Sequence, residues 1–277
     1  GYENCKFFSL ELKQRLPNMI IVLGGNMAVS AEILLQKTGV DFCVLGEGES
    51  VCCQLFDKIE KSRPRKEFYA IKGLAFLDGA RFVNTGYADQ LSTEEISDID
   101  WGLLDPAAIK YFLRPITDMK GRSLKYFLNN VNGGIGPGPI SNEERVLNKS
   151  TASAFCSKGC VTRCTFCHRF NKGMRIIPPD IVMAYIKDLI ERFNVGAVYF
   201  GDECFGASAK WLREFCELIK PLNILWRVSG MRVSQVSPDI VKMMKEAGCR
   251  SILYGMETGS ERMLQVMEKG VSIKDNY

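Results

Sequence analysis

Between positions 156 and 168 the chain reads Cys-Ser-Lys-Gly-Cys-Val-Thr-Arg-Cys-Thr-Phe-Cys-His, which places four of its 11 cysteines on one short stretch. Three of them, Cys160, Cys164 and Cys167, fall in a CxxxCxxC spacing, with the aromatic Phe166 just before the last. Thiolates are soft donors, and a dense group of them selects zinc or an iron–sulfur cluster. A structural zinc site normally takes four ligands in two close pairs. Here there is one dense group, and the single histidine, His168, adjoins Cys167 and is poorly placed to close the same tetrahedron. Iron–sulfur is the better reading: three thiolates can hold a four-iron cluster while one iron stays open, and an open coordination position is what catalysis needs. A zinc-stabilised binding module built from Cys156, Cys160, Cys164 and Cys167 is the alternative from a non-enzyme class.

The bulk composition narrows the setting. Hydrophobic residues at 46% and charged residues at 25% are ordinary for a globular chain, so disordered and fibrous classes are excluded. The net charge of +4 arises from 36 basic and 32 acidic residues interspersed along the chain, so nucleic acid is not indicated as a partner. No run approaches the roughly 18 apolar residues that span a bilayer, and residues 1–20 lack the long apolar centre of a signal peptide. The expectation is a cytoplasmic protein with no membrane segment. In that setting, and with the total count odd, clustered cysteines bind metal or do redox work rather than forming a disulfide framework. Cys5, Cys43, Cys52, Cys53, Cys204, Cys216 and Cys249 sit mostly inside apolar patterns and read as small buried hydrophobes.

The elements that must position the loop form an α/β pattern. Residues 3–16 carry Phe7, Phe8, Leu12 and Leu16 near helical spacing. Residues 19–23 (MIIVL) suit a strand buried on both faces, closed by Gly24-Gly25; residues 31–38 read as a helix and 42–45 as a second buried strand. Strand, helix, strand with glycines at the strand ends is the parallel-sheet pattern, and a glycine pair there lets a ligand approach the backbone closely. Residues 50–60 look helical, and Asp78-Gly79 predicts a hairpin between strands 74–77 and 81–84. Residues 86–149, with their Gly133–Pro139 run, read as an interdomain connection. From Thr151 strands and helices alternate, with strands expected at 152–155, 197–200, 225–228 and 251–254. From Ala197 strand starts recur about every 25–30 residues, close to the roughly 31 per unit of a (β/α)8 barrel. Residues 1–60 are therefore expected to be the C-terminal part of a Rossmann-like domain, 61–149 a linker with a hairpin, and 150–277 a partial barrel of about four βα units. Four units cannot close a barrel, so the expectation is a chain cut short at both ends rather than a bare edge strand.

Placed after a strand, the CxxxCxxC loop with Phe166 resembles the signature of the radical S-adenosylmethionine (radical SAM) superfamily. The resemblance implies that Cys160, Cys164 and Cys167 hold a 4Fe-4S cluster, that its open iron chelates the amino and carboxylate groups of S-adenosylmethionine, and that Phe166 contacts the adenine. Cys156 falls outside the spacing and reads as a buried or spare thiol. Asp202 and Glu203, in Phe200-Gly-Asp-Glu-Cys-Phe, lie where the family places an acidic motif for the methionyl amino group. Arg232 matches a basic position that pairs the cofactor carboxylate, and Glu257, in Gly255-Met-Glu-Thr-Gly-Ser, resembles a segment near the ribose.

Residues 21–25 and 40–49 resemble the end of the cobalamin-binding domain that precedes the barrel in one large subfamily, and 98–106 resembles its linker. Gly24 and Gly25 would then lie along the nucleotide tail of cobalamin. The aspartate and histidine motif that supplies a lower axial ligand in many such domains would fall before Gly1, and the fifth-strand adenine motif beyond Tyr277. The implied activity is that of an oxygen-sensitive enzyme that takes one electron from an external reductant. It cleaves S-adenosylmethionine to a deoxyadenosyl radical for cobalamin-dependent methyl transfer, or related radical chemistry, on a small-molecule substrate that the fold does not name. A catalytically inert remnant of the family is the second alternative.

Overall fold

The apolar runs around Phe42–Val44 and Leu74–Phe76 become strands covered on both faces. The computed structural model describes residues 1–97, 100–103, 105–116, 146, 148–167, 173–206 and 208–276. These fall into two units, Gly1–Ser92 and Thr93–Tyr277.

In the first unit helix α1 (Tyr2–Arg15) precedes strand β1 (Val22–Leu23), helix α2 (Ala31–Lys37), strand β2 (Phe42–Val44), helix α3 (Glu49–Glu60), and the hairpin of β3 (Leu74–Asp78) and β4 (Arg81–Asn84). The sheet order is β1-β2-β3-β4, with β1 parallel to β2 and the later pairs antiparallel. Side chains alternate across β2 and β3: Phe42, Leu74 and Phe76 pack with Leu55 of α3, while Cys43 and Ala75 pack with Leu34 and Leu35 of α2. Burial on both faces is why these strands read as continuous apolar runs rather than alternating ones.

One expectation is corrected here. Residues 19–23 do not form a doubly buried strand: β1 is a two-residue edge, and Met19 and Ile20 are exposed. Helix α1 buries Ser9, whose hydroxyl accepts from Gly39 N at 3.0 Å, whereas Phe7 and Phe8 are exposed. The hairpin turns at Gly79 (φ 61°) as Asp78-Gly79 requires, and its first strand pairs with β2.

The second unit opens with helices α4 (Thr93–Ser97) and α5 (Pro106–Phe112) and strand β5 (Arg114–Pro115). Strand β6 (Ser150–Ala154) follows, then β7 (Ser157–Gly159), β8 (Met174–Ile176), helix α6 (Pro179–Phe193), β9 (Val195–Phe200), α7 (Ala209–Ile219), β10 (Leu225–Met231), α8 (Pro238–Glu246), β11 (Cys249–Tyr254) and α9 (Glu261–Val266). One sheet runs β11-β10-β9-β6-β5, in which β6, β9, β10 and β11 are parallel and β5 is antiparallel to β6. The Gly133–Pro139 run and the start of the 98–106 stretch lie outside the described residues.

Helix boundaries follow local chemistry. Pro179 sits at the start of α6; Ser208 and Ser260 cap α7 and α9 by accepting from Trp211 N at 3.1 Å and Met263 N at 3.4 Å. The helix layer meets the sheet through Phe200, Phe205, Trp211, Phe215 and Trp226, with Trp211 and Phe215 stacked at 4.9 Å. Both indole N–H groups are satisfied inside this core, Trp211 by Ile177 O and Trp226 by Ala247 O, each at 2.8 Å. Burial pushes the thiols of Cys43, Cys216 and Cys249 up to about 12, as expected of small buried hydrophobes. Among the described residues no helix is long and apolar enough to cross a membrane.

Candidate functional site

The cysteine loop is the tip of a hairpin. Strand β7 leaves the end of β6 and pairs antiparallel with β8 in the register Ser157↔Ile176, Lys158↔Arg175, Gly159↔Met174. Gly159, at φ 87°, turns the chain out of β7 into Cys160. Thr162 then draws two thiols together: its Oγ1 lies 3.0 Å from Cys160 Sγ and accepts from Cys164 Sγ at 3.6 Å. Cys167 N donates to Cys164 O at 3.1 Å, a tight turn that keeps the third thiol beside the first two. The far side of the loop is pinned to the end of α9, where Thr165 N donates to Met267 O at 2.9 Å.

A cavity of about 420 Å³ opens over these thiols. Cys160, Cys164, Cys167 and Phe166 line one side; Glu203 after β9, Arg232 after β10 and Glu257 after β11 line the other. All three wall residues follow the carboxyl ends of parallel strands, where open α/β sheets gather their ligands. Gly230, at φ 74°, permits the close approach of two of these segments, because a Cβ there would stand 2.1 Å from Asp202 O.

The electrostatics favour anionic sulfur and an anionic ligand. Cys160 is held down to about 5, chiefly by a hydrogen bond from the Cys204 thiol, then by Thr162, with the Arg232 guanidinium adding to it; the Cys204 thiol is correspondingly pushed up. Cys167 is pushed up by burial and by the neighbouring thiols of Cys164 and Cys160. Arg232 donates to Gly270 O at 3.0 Å, while its Nε is buried and has no partner among the described residues. Glu257 stands at φ 63° and pairs with Lys269 Nζ at 2.8 Å. An orphaned guanidinium donor beside a thiolate-forming cysteine group fits an iron–sulfur cluster together with a carboxylate-bearing ligand.

The two adjacent carboxylates part company. Glu203 lines the cavity, whereas Asp202 does not: its Oδ1 accepts from Cys156 N at 2.9 Å and from the Ser157 hydroxyl at 2.6 Å, bracing the root of the cysteine hairpin. Cys156 is buried away from the cavity lining, and desolvation raises its thiol well above the usual range. His168 lies outside the described residues. Gly24 and Gly25 belong to the first unit, at the end of β1; a Cβ on either would meet nothing within 4 Å, so the backbone there is open to a ligand. Sequence reasoning missed Thr162 and Lys269, and it read Cys204 only as a small buried hydrophobe. Thr162 lies two residues from both Cys160 and Cys164 and Cys204 follows Glu203, but only the fold brings Lys269 to Glu257.

Residues 155–277 match the profile of the Radical SAM superfamily. The chain carries a radical SAM domain. Its relatives are cyclases and methyltransferases. The anaerobic magnesium-protoporphyrin IX monomethyl ester cyclase of Cereibacter sphaeroides is 27% identical over 271 residues, covering 94% of this chain and 39% of the relative. An uncharacterized methyltransferase of Pyrococcus horikoshii is 25% identical over 262 residues, covering 92% of this chain and 49% of that one. The bacteriochlorophyllide d C-12(1)-methyltransferase of Chlorobaculum tepidum is 25% identical over 170 residues, 60% of this chain and 35% of its own. The first two relatives are thus spanned over less than half their length. Among solved structures, the radical S-adenosylmethionine methyltransferase TsrM of Kitasatospora setae superposes with a TM-score of 0.67 over 99% of this chain and 49% of TsrM; at 18% identity the likeness is one of fold.

Proposed function

We propose that the chain is a radical SAM iron–sulfur enzyme whose cavity takes a 4Fe-4S cluster and S-adenosylmethionine. One observation carries this reading: within a radical SAM domain, three thiols of one loop share a single cavity with Phe166, Glu203, Arg232 and Glu257. When bound, the cluster and S-adenosylmethionine together supply the reductive cleavage that yields a deoxyadenosyl radical, given an external one-electron reductant. Cys160, Cys164 and Cys167 hold the cluster, and the hydrogen bonds from Cys204 and Thr162 that lower the Cys160 thiol favour its ligating form. Arg232 offers its buried donor to the cofactor carboxylate, Glu203 accepts from the amino group, Phe166 packs on the adenine and Glu257 accepts from the ribose. Asp202 stiffens the hairpin that carries the thiols.

Against a zinc module, its fourth proposed ligand, Cys156, lies buried outside the cavity lining. Three thiols of one loop on a single cavity suit a cluster that keeps one position open. The free state of the described cysteines fits a reducing cytoplasm.

The same proposal takes the α/β sheet of residues 1–92 as part of a cobalamin-binding domain and the parallel strands β6, β9, β10 and β11 as a partial barrel. The open backbone at Gly24 and Gly25 would accept the cobalamin tail. The outcome is methyl transfer or a related radical reaction, such as cyclisation, on a small molecule, in line with the printed activities of the relatives. Anaerobic reconstitution tests the reading: about four iron and four sulfide per chain are expected, with deoxyadenosine released from S-adenosylmethionine under reductant and abolished in Cys164→Ala. A colourless protein with stoichiometric zinc would overturn it in favour of the binding module, and a loaded cluster without deoxyadenosine release would point to an inert remnant.

A further inference from the structure

The short segment after α9 ties together three parts of the cavity that are far apart in sequence. The carbonyl of Met267 accepts from Thr165 N at 2.9 Å, which pins the cysteine loop. The carbonyls of Lys269 and Gly270 accept from the Arg232 guanidinium at 3.4 and 3.0 Å. The Lys269 ammonium pairs with Glu257 Oε1 at 2.8 Å and stands 5.7 Å from the centroid of the Phe166 ring. Its side chain is only 14% exposed, so this pair is sheltered from water more than an ordinary surface pair.

Two further features show that the pair is built for. Glu257 occupies the left-handed region at φ 63°, which a residue with a side chain adopts at a cost, so surrounding contacts must hold it there. Gly255 leaves the room: a Cβ at that position would stand 2.7 Å from Glu257 Oε1 and 3.1 Å from Lys269 Nζ. A glutamate on a strand-end loop would otherwise sample several rotamers. With one carboxylate oxygen fixed by an ammonium, the group keeps further acceptor capacity in a defined place, since a carboxylate offers about four lone-pair sites.

We infer that Lys269 is a positioning residue for the nucleoside half of the cofactor: it fixes the Glu257 carboxylate beside the Phe166 ring, so that ribose hydroxyls and the adenine meet one preassembled surface. The inference rests on the reading that the cavity takes S-adenosylmethionine. Glu257 supplies the acceptor, Phe166 the apolar face, and Lys269 sets the distance between them.

The test compares the wild-type protein, Lys269→Met, Lys269→Arg, Glu257→Gln and the double variant Lys269→Met/Glu257→Gln, each reconstituted with iron and sulfide. Iron content and the affinities for S-adenosylmethionine, 5′-deoxyadenosine and methionine are measured separately by equilibrium binding. Lys269→Met is expected to weaken S-adenosylmethionine and 5′-deoxyadenosine by about tenfold, the scale of one lost charge-assisted contact, with methionine affinity and iron content unchanged. Lys269→Arg restores most of the loss, and the double variant binds no more weakly than Glu257→Gln alone, because Lys269 acts through Glu257. Unchanged nucleoside affinity in Lys269→Met, equal losses for methionine and nucleoside, or additive losses in the double variant would overturn the inference. If Lys269→Met fails to load its cluster, Lys269→Arg decides: wild-type nucleoside affinity supports the role of the cation, and a loss as large as that of Glu257→Gln refutes it. Failure of the wild-type protein itself to bind S-adenosylmethionine would sink the cofactor reading rather than this inference alone.

Discussion

Ser157 and Asp202, 45 positions apart, are joined by a 2.6 Å hydrogen bond in which the serine hydroxyl donates to carboxylate Oδ1, and the bond fixes the root of the cysteine hairpin to the end of β9. Asp202 Oδ2 is buried and has no partner among the described residues. Desolvation by burial accordingly raises this carboxyl from its ordinary 3.8 to about 6, against the lowering effect of Ser157 and the backbone amides. The folded protein therefore binds a proton more readily than the unfolded chain between those values, and stability is lost as pH rises through about 6. Asp202→Asn keeps the Oδ1 acceptor and removes the charge. Its unfolding free energy in the cluster-free protein is expected to gain on that of wild type as pH rises, by up to roughly 3 kcal/mol near neutrality. A difference that stays level across that window would refute the account.

Gly230 should tolerate no side chain. Its φ of 74° is strained for any other residue, and a Cβ would lie 2.1 Å from Asp202 O. Gly230→Ala is expected to cost about 3 kcal/mol or more in the cluster-free protein, read as a drop in denaturation midpoint. At Gly259 a Cβ meets nothing within 4 Å, so Gly259→Ala should stay within about 0.5 kcal/mol of wild type.

The thiols should separate by reactivity. In cluster-free protein, limited iodoacetamide treatment near pH 6 is expected to label Cys160 well before Cys43, Cys216 or Cys249, since the first is held down to about 5 and the others are pushed up to about 12. Cys204→Ala removes the main donor to Cys160 and should slow its labelling severalfold. Peptide mass spectrometry that finds the four cysteines equally reactive would contradict this.

In the first unit the edge strand depends on one carboxylate. Asp41 accepts from Ile21 N at 2.7 Å and from Lys13 Nζ at 3.0 Å, joining β1 to α1. Asp41→Ala leaves both donors without that acceptor and is expected to destabilise the unit by about 1–2 kcal/mol, with faster amide exchange at Ile21. Unaltered exchange there would show that the edge is held by other means.

What was legible in the residues follows from how much each element relies on local pattern. Strands β9, β10 and β11 lie inside apolar runs punctuated by Ser208, Ser237-Pro238, Gly248 and Ser260, and they form within a few residues of the expected places. The β7–β8 hairpin was not legible, because two three-residue strands are too short to show a period. Residues 19–23 misled because an apolar run does not reveal whether a neighbour covers it, and this one lies at the sheet edge. Asp202 and Glu203 were indistinguishable as adjacent acids; only the backbone beyond Phe200 decides that the first turns inward to Ser157 and the second faces the cavity.

The hairpin that carries the thiols also divides the site by distance along the chain. Cys160, Cys164 and Cys167 lie between two strands that pair with each other, so gathering them closes only a short loop, and closure entropy rises slowly, as about (3/2)RT ln n. Glu203, Arg232 and Glu257 meet only after β9, β10 and β11 have found their distant partners, which is the slow, non-local part of folding. The ligand set is close in sequence, whereas the wall that shields it is assembled from segments that only non-local strand pairing brings together.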